Sequence, residues 1–321
     1  MDLDLDADEL ALQQGVRRFC ADRFPLSVAR QFGTPGGFDR DRWAELGELG
    51  VFDVLSVSTS ETGGLGAVGA VVVFEELGRA LVPGPLIACV LARGLAEGVC
   101  EGRAVVTAVE RPRSGPAVLE HLAAASSLIV TDDEGVWHVD TADLGNLVAA
   151  EALDPTSTVA VVTRLPQGTQ VGGPEQASSW RLYGSLLASS MLAGISSATT
   201  DLATQYAKAR HQFGKPIGSF QAIKHMLADM LARSEVCRAS VYMAGAVVDD
   251  PSAGRPEDSV ASARVIAGQW AVDNARSCIQ VHGGIGFTWE ADPHLYLKRS
   301  WSLANCYGGV DSAAEVVASS L

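Results

Sequence analysis

YAKARHQFGKPIGSFQAIKHMLADM (residues 206–230) and QVHGGIGFTWEADPHLYLKR (residues 280–299) decide how this chain is read. In the first, a helical run breaks at Phe213-Gly214 and resumes after Ser219, a candidate N-cap. In the second, Gly283-Gly284 stops a long helix. Arg210 lies near a helix end, where its planar guanidinium suits a bound anion. Gly283 and Gly284 permit close approach of backbone to a ligand. Gln221 and Gln280 offer amide donors and acceptors. Taken singly, Arg210 is an ordinary solvated arginine and Gly283-Gly284 an ordinary helix stop; their order along the chain gives them a joint meaning.

The segments around these stretches are helical. Residues 186–214 carry small and apolar side chains all round, as a helix buried in a bundle does. A second long helix is expected from Ser219 to Asp250, a third over 257–284, and a shorter one from Pro293. Toward the N-terminus, residues 2–32 begin with acidic positions and then repeat Leu10, Val16, Phe19 and Phe24 at helical spacing. A further helix places Trp43, Leu46 and Leu49 on one face and stops at Gly50. SETGGLG (60–66) reads as a Gly-rich turn before a buried helix that ends at Pro83 and Pro85. Between the two helical regions the character changes. RAVVTAVE (103–110), SSLIVTDD (126–133), GVWHVDTAD (135–143) and STVAVVTRL (157–165) are strand signals punctuated by Asp, Gly and Pro. The expected architecture is mainly α with a small β domain: an N-terminal helical domain over 1–102, a reduced β domain over 103–173 and a four-helix bundle over 174–321.

With 321 residues, 47% of them hydrophobic and 19% charged, the chain can bury a large core. A formal net charge of −14 opposes nucleic-acid binding, which needs a basic face. The six cysteines, Cys20, Cys89, Cys100, Cys237, Cys278 and Cys306, have no CxxC spacing and read as reduced core thiols, with no metal site. GAVGAVVVF (66–74) is too short to span a membrane. The opening Met-Asp-Leu-Asp lacks the basic and apolar regions of a signal peptide, so a cytoplasmic protein is expected.

The order of helices, β domain and bundle, together with the two quoted stretches, resembles acyl-CoA dehydrogenases. The first stretch is similar to that family's Arg-x-x-Phe-Gly, Phe-Gln and Leu-Ala-(Asp/Glu)-Met run. The second is similar to its Gln-x-x-Gly-Gly-x-Gly signature, with Glu290, Pro293 and Arg299 in place. GGLGAVGAVVVFEELGRAL (63–81) adds an N-terminal match. The resemblance implies that Arg210, Gln212, Phe213, Gln221, Gln280, Gly283 and Gly284 bind the adenosine and pyrophosphate end of an FAD whose ring lies in a neighbouring subunit. It also implies an acyl-CoA substrate and an electron-transfer flavoprotein as electron acceptor.

In that family a Glu removes the α-proton of the acyl-CoA while the β-hydrogen leaves as hydride to the flavin. This Glu most often stands in a Tyr-Glu-Gly-Thr-x-Gln segment, nine residues after the signature arginine. Counting nine from Arg299 reaches Gly308, within Tyr307-Gly308-Gly309-Val310-Asp311-Ser312. The Thr and Gln that help hold the subunit's own flavin are Val310 and Ser312. The family's second location for the base, 29 residues before Phe213, is Gly184, followed by Ser185. Asp311 and Glu315 lie nearby on a helical tail and are expected to face solvent. A Glu restored at 308 is expected to meet apolar surroundings. The family's Thr-Glu-Pro-x-(Ala)-Gly-Ser-Asp loop is echoed only by Thr107, Glu110 and Pro112. The half that serves a neighbour's flavin is therefore retained, and the half that serves the chain's own is lost. This pattern resembles the shortened, Glu-lacking subunits of heteromeric actinobacterial steroid side-chain acyl-CoA dehydrogenases. It implies a non-catalytic subunit paired with a Glu-bearing one in an α2β2 enzyme. Two other readings stay open on the residues alone: a self-sufficient flavoenzyme with a relocated base or different chemistry, and a flavin-free scaffold.

Overall fold

Residues 5–56, 65–145 and 147–320 are described by the structure, a computed structural model. The chain forms helices α1 (Ala7–Arg23), α2 (Leu26–Phe32), α3 (Arg40–Glu48), α4 (Gly66–Arg79) and α5 (Leu86–Leu91), then strands β1 (Val106–Glu110), β2 (Ala117–Glu120), β3 (Ser127–Asp132), β4 (Gly135–Val139), β5 (Leu147–Ala150), β6 (Val159–Val162) and β7 (Thr169–Gly172). There follow α6 (Pro174–Ala209), the two-residue strands β8 (His211–Gln212) and β9 (Lys215–Pro216), α7 (Gln221–Asp249), α8 (Pro256–His282), α9 (Pro293–Asn305) and α10 (Gly309–Ser320). The chain is mainly helical with a small β portion, as expected. It divides into two compact units, one of residues 1–26, 71–82 and 185–321, the other of 27–70 and 83–184. Helices α4 and α6 each contribute to both.

The first unit is a helical bundle organised around the second half of α4. Gly78 and Gly194 let α4 and α6 touch backbone to backbone. A Cβ on Gly194 would lie 1.9 Å from the Glu75 carbonyl oxygen, and one on Gly78 would lie 2.2 Å from the Met191 carbonyl oxygen. Two adjacent carboxylates on α4, Glu75 and Glu76, are buried, and a buried charge needs partners. Arg17 on α1 grips Glu76 through Nε and Nη2, at 2.8 and 2.6 Å. Tyr242 on α7 donates its hydroxyl to Glu75 at 2.6 Å, and the Arg238 guanidinium stands 3.5 Å away. Burial pushes the Glu75 carboxyl upward, against the opposing pull of the Tyr242 hydrogen bond and the Arg238 charge. One turn on, Arg79 reaches Asp201 and Ser197 of α6.

Helix α6 is buried on most sides, and its small polar residues serve themselves. Ser189, Ser190, Thr199 and Thr200 each donate a hydroxyl to the carbonyl four residues back. The buried Asn274 amide on α8 then donates to Ser196 Oγ at 2.7 Å and to the Met230 carbonyl at 2.8 Å, joining α6, α7 and α8.

In the second unit, β1, β3, β4 and β7 form a sheet in that order, with β1 parallel to β3 and the other pairs antiparallel. Strands β2, β6 and β5 form an antiparallel sheet. Leu119, Leu128, Val130, Val139 and Val162 fill the core between them. Trp43 and Phe52 pack with ring centroids 4.8 Å apart.

Several local expectations are corrected. Leu49 is exposed, because α3 ends at Glu48 and Leu49 caps it. Leu10 is also exposed, and the inward positions of α1 are Gln13, Val16 and Cys20. Ser219 is not the N-cap of α7: it sits in a 3-10 turn with its hydroxyl on the Pro216 carbonyl, and Phe220 precedes the helix without side-chain capping. Helix α6 starts at Pro174, a residue pre-set for a first turn. SETGGLG lies outside the described residues up to Gly64. Cys20, Cys89, Cys237 and Cys278 are buried free thiols whose pKa burial pushes up to about 12, so they stay protonated.

The α4–α6 contact leaves no room for a side chain. Gly194→Ala is expected to lower unfolding stability by about 1–3 kcal/mol through overpacking. Gly15→Ala on α1, where a Cβ meets nothing within 4 Å, is expected to raise it by about 0.5–1 kcal/mol. Urea unfolding of both variants beside the parent checks the pair; equal midpoints would rule out the close contact.

Candidate functional site

The first half of the site is a hairpin at the end of α6. Phe213 and Gly214 adopt φ values of 52° and 79°, so both central residues of the β8–β9 turn are left-handed. That matches the hairpin turn whose twist suits two short antiparallel strands. The hairpin is closed by the Ile217 amide donating to the Arg210 carbonyl at 2.8 Å. Phe213 is 90% exposed, and its ring stands nearly perpendicular to that of Phe220 with centroids 6.0 Å apart. Lys215 Nζ lies 4.5 Å from the centre of the Phe220 ring. Arg210 and Gln212 are exposed, and the Arg210 guanidinium has no hydrogen-bond or ion-pair partner among the described residues. Gln221, at the start of α7, is committed locally: its amide nitrogen lies 2.9 Å from His225 Nε2.

The charge here runs against that of the whole protein. Between Asp201 and Asp229 there is no acidic residue, while Lys208, Arg210, Lys215 and Lys224 all fall within that span. All four are exposed. In a chain of net charge −14, this is a local electropositive surface suited to an anion.

The second half is the end of α8. Gln280 is exposed, and the Gly283 amide donates to the Gln280 and Ile279 carbonyls. Gly283 has φ 67°, and a Cβ built on Gly283 or Gly284 meets nothing within 4 Å. These glycines are thus an open backbone surface at which a ligand can lie close. The two halves are joined by two residues that the sequence reading missed. Tyr206, one turn before Arg210, stacks on His282, the residue before Gly283, with centroids 4.1 Å apart and planes 22° from parallel. Spacing alone puts Tyr206 and Arg210 on one helix face, but nothing local announces the contact with His282.

The positions that would carry a base hold none. Gly184 is buried in α6. Tyr307, Gly308 and Gly309 all have left-handed backbone, with φ of 50°, 85° and 68°. Just before them, the fully buried Arg264 of α8 donates to the carbonyls of Leu303 and Cys306 and so caps α9. The expectation of apolar surroundings at 308 is overturned: Gly308 is exposed, and only Ser312 lies near a Cβ built there. Asp311 and Glu315 are exposed on α10. In the second unit, Thr107 is buried with its hydroxyl on the Glu120 carbonyl at 2.7 Å, and Arg111, beside Glu110, pairs with Asp132 at 3.1 Å. The Thr107 hydroxyl is therefore spent on the fold. Among the described residues no cluster of His, Cys, Asp or Glu is suited to a metal ion, and no helix is long and apolar enough to cross a membrane.

Comparison with known proteins gives these features a context. The N-terminal domain model of acyl-CoA dehydrogenases matches residues 6–98, and the C-terminal domain model matches residues 179–318. The span left between them holds all seven strands of the two sheets. The chain is 34% identical over 251 residues to the acyl-CoA dehydrogenase IpdE2 of Mycolicibacterium smegmatis, covering 74% of this chain and 73% of that protein. It is 34% identical over 256 residues to the acyl-CoA dehydrogenase FadE34 of Mycobacterium tuberculosis, covering 73% of this chain but only 35% of FadE34, so the match spans about a third of that relative's length. Among solved structures, the ChsE4-ChsE5 complex from Mycobacterium tuberculosis shares the fold with a TM-score of 0.81 at 22% identity, over 99% of this chain and 98% of the matched one.

Gly308→Glu tests what the open position permits. The variant is expected to fold, losing about 1–2 kcal/mol because a side chain is placed on left-handed backbone. The chain alone is expected to remain without acyl-CoA-dependent dye reduction, since Val310 and Ser312 are unchanged. Turnover by the single-chain variant would show that a base was all that was lacking.

Proposed function

The chain belongs to the acyl-CoA dehydrogenase family, and from that premise we propose that it is the non-catalytic subunit of a heteromeric member of the family. In this reading it completes the flavin site of a Glu-bearing partner, in an α2β2 enzyme that dehydrogenates an acyl-CoA. FAD is the family's cofactor, and when bound it accepts the substrate's β-hydrogen as hydride. Arg210 would bind its pyrophosphate, with charge-assisted hydrogen bonds from a guanidinium that is otherwise uncommitted. Gly283 and Gly284 would lie against it with no side chain in the way. Gln280 and Gln221 would orient its polar groups, Gln221 exchanging its His225 contact to do so. Gln212 and Phe213 would form the edge of the same surface.

One observation carries the proposal. The groups suited to a nucleotide are present and exposed, with the Arg210 guanidinium and the Gly283-Gly284 surface uncommitted, while both positions for a proton-abstracting carboxylate are glycine. General-base catalysis needs a carboxylate within hydrogen-bond reach of the α-proton, and Asp311 and Glu315 stand on an exposed helix. The partner would supply the base and the contacts to the flavin ring. The likeness to the ChsE4-ChsE5 complex supports a fold compatible with pairing of two different chains. A steroid side-chain thioester as substrate and an electron-transfer flavoprotein as acceptor rest on the family resemblance.

The test is co-expression with full-length, Glu-bearing family members from the same source. One of them is expected to co-purify as a yellow, active complex, while this chain alone is colourless and inactive. Arg210→Ala should leave assembly intact and weaken flavin retention by about 1.5–3 kcal/mol, read as FAD lost over a dilution series. Replacing the partner's Glu should abolish turnover, while Asp311→Asn and Glu315→Gln here should leave it nearly unchanged. An active, flavin-loaded assembly of this chain alone would refute the subunit role, and a colourless complex would refute the flavin site.

A further inference from the structure

Arg210 and the Gly283-Gly284 backbone belong to two helices that end independently, α6 at Ala209 and α8 at His282. For one ligand to meet both, the two ends must be held in register. Among the described residues no ion pair joins α6 and α8 at these ends, and glycine brings no side chain to hold them. Ala203 and Ala207 of α6 pack with Cys278 and Val281 of α8 in one apolar cluster, and nearest the ends Tyr206 stacks on His282.

The stack is locked on each side. His282 Nδ1 lies 2.8 Å from the Cys278 carbonyl oxygen. A carbonyl only accepts, so Nδ1 carries the proton and the ring is fixed against its own helix. Tyr206 packs against the cluster of Ala203, Ala207, Met230 and Cys278, which anchors its ring from below. Both residues are half-buried, with one ring face given to each other. Neither the Tyr206 hydroxyl nor His282 Nε2 has a hydrogen-bond partner among the described residues. The pair thus stands between Arg210, four residues from Tyr206, and Gly283, adjacent to His282.

We infer that Tyr206 and His282 are positioning residues, which hold the Arg210 hairpin and the Gly283-Gly284 backbone as a single mouth for the pyrophosphate end of FAD. The inference rests on the flavin-site reading proposed above and adds to it the device that makes two helix ends act as one site. The apolar cluster one turn back holds the helices together; without the stack, the last turn of each would have to be ordered when the nucleotide binds, and affinity would fall because that ordering entropy is then lost on binding.

Two measurements test it: hydrogen exchange on the chain alone, and FAD loss on dilution of the flavin-bearing complex. Tyr206→Leu keeps apolar bulk toward the cluster and removes the ring; His282→Leu removes the stack from the other side and leaves Tyr206 intact. Each is expected to speed exchange in both 210–217 and 280–287, and to weaken FAD retention roughly 2- to 12-fold, the usual worth of an aromatic pair. Tyr206→Phe keeps the ring and is expected to restore both readouts, which loss of packing alone would not require. If Arg210→Ala releases FAD but both leucine variants retain it like the parent, the positioning role is wrong while the flavin site stands. If Arg210→Ala itself changes nothing, the flavin site is wrong and the inference falls with it. Faster exchange in only one of the two segments would also overturn it, because the halves would then be uncoupled.

Discussion

Backbone contact between α4 and α6, at Gly78 and Gly194, is the constraint on which the helical unit depends. It brings Glu75 and Glu76 out of water, and two adjacent carboxylates cannot stay there unpartnered. Arg17 is thereby drawn in from α1, and Tyr242 and Arg238 from α7. Arg79 fixes the next turn of α4 to Asp201 and Ser197 of α6. Three helices are thus registered against α4 by polar contacts that tolerate little sliding, while the apolar packing around them is far less directional. The consequence reaches the surface: once α6 and α7 are fixed along their length, the hairpin between them, with Arg210 and Phe213, has its place.

In the proposed reading, that surface accounts for how one chain can keep and lose parts of a family's machinery. Nucleotide recognition needs guanidinium, amide and bare backbone, all of which can be presented at helix ends without a deep pocket. Proton abstraction needs a carboxylate placed opposite an ordered acceptor. Here the guanidinium and two of the amides of the first set stand at an electropositive span free of acidic residues, and the bare backbone at the end of α8. At the second, three successive left-handed residues from Tyr307 to Gly309 preserve a turn, capped by Arg264, while the side chain that would do chemistry is missing. The turn also ends α9 and starts α10, so it serves the fold whatever side chain stands at 308.

Much of this was legible in the sequence, and the exceptions have physical reasons. The helix ends before Arg210 and at Gly283-Gly284 and the turn at Phe213-Gly214 were readable because helix ends and left-handed turns impose strong local residue preferences. The helices α6 to α8 were readable from their length and apolar content. Strands β2, β5 and β7 were not: β2 alternates but over only four residues, and β5 and β7 are almost wholly exposed and so lack the alternation that marks a half-buried strand. Leu49 and Leu10 were misplaced because periodicity continues past the point where a helix stops or meets its neighbour. Ser219 looked like a cap, but its hydroxyl found the Pro216 carbonyl first. The surroundings of Gly308 were misjudged because apolar neighbours in sequence do not establish burial. The partners of Glu75 and the stack of Tyr206 on His282 were invisible for a simpler reason: each joins residues far apart in the chain, where spacing carries no information.

A subunit that gives only the nucleotide half of a flavin site to its neighbour fixes the number of flavins in the assembly. The most direct measurement is the ratio of bound FAD to polypeptide in the purified complex, from flavin absorbance after denaturation and quantitative amino-acid analysis. One FAD for every two chains, one of each kind, is the expected result. One FAD for every chain would mean that this protein holds a flavin of its own, and would contradict the proposed division of labour between two subunits.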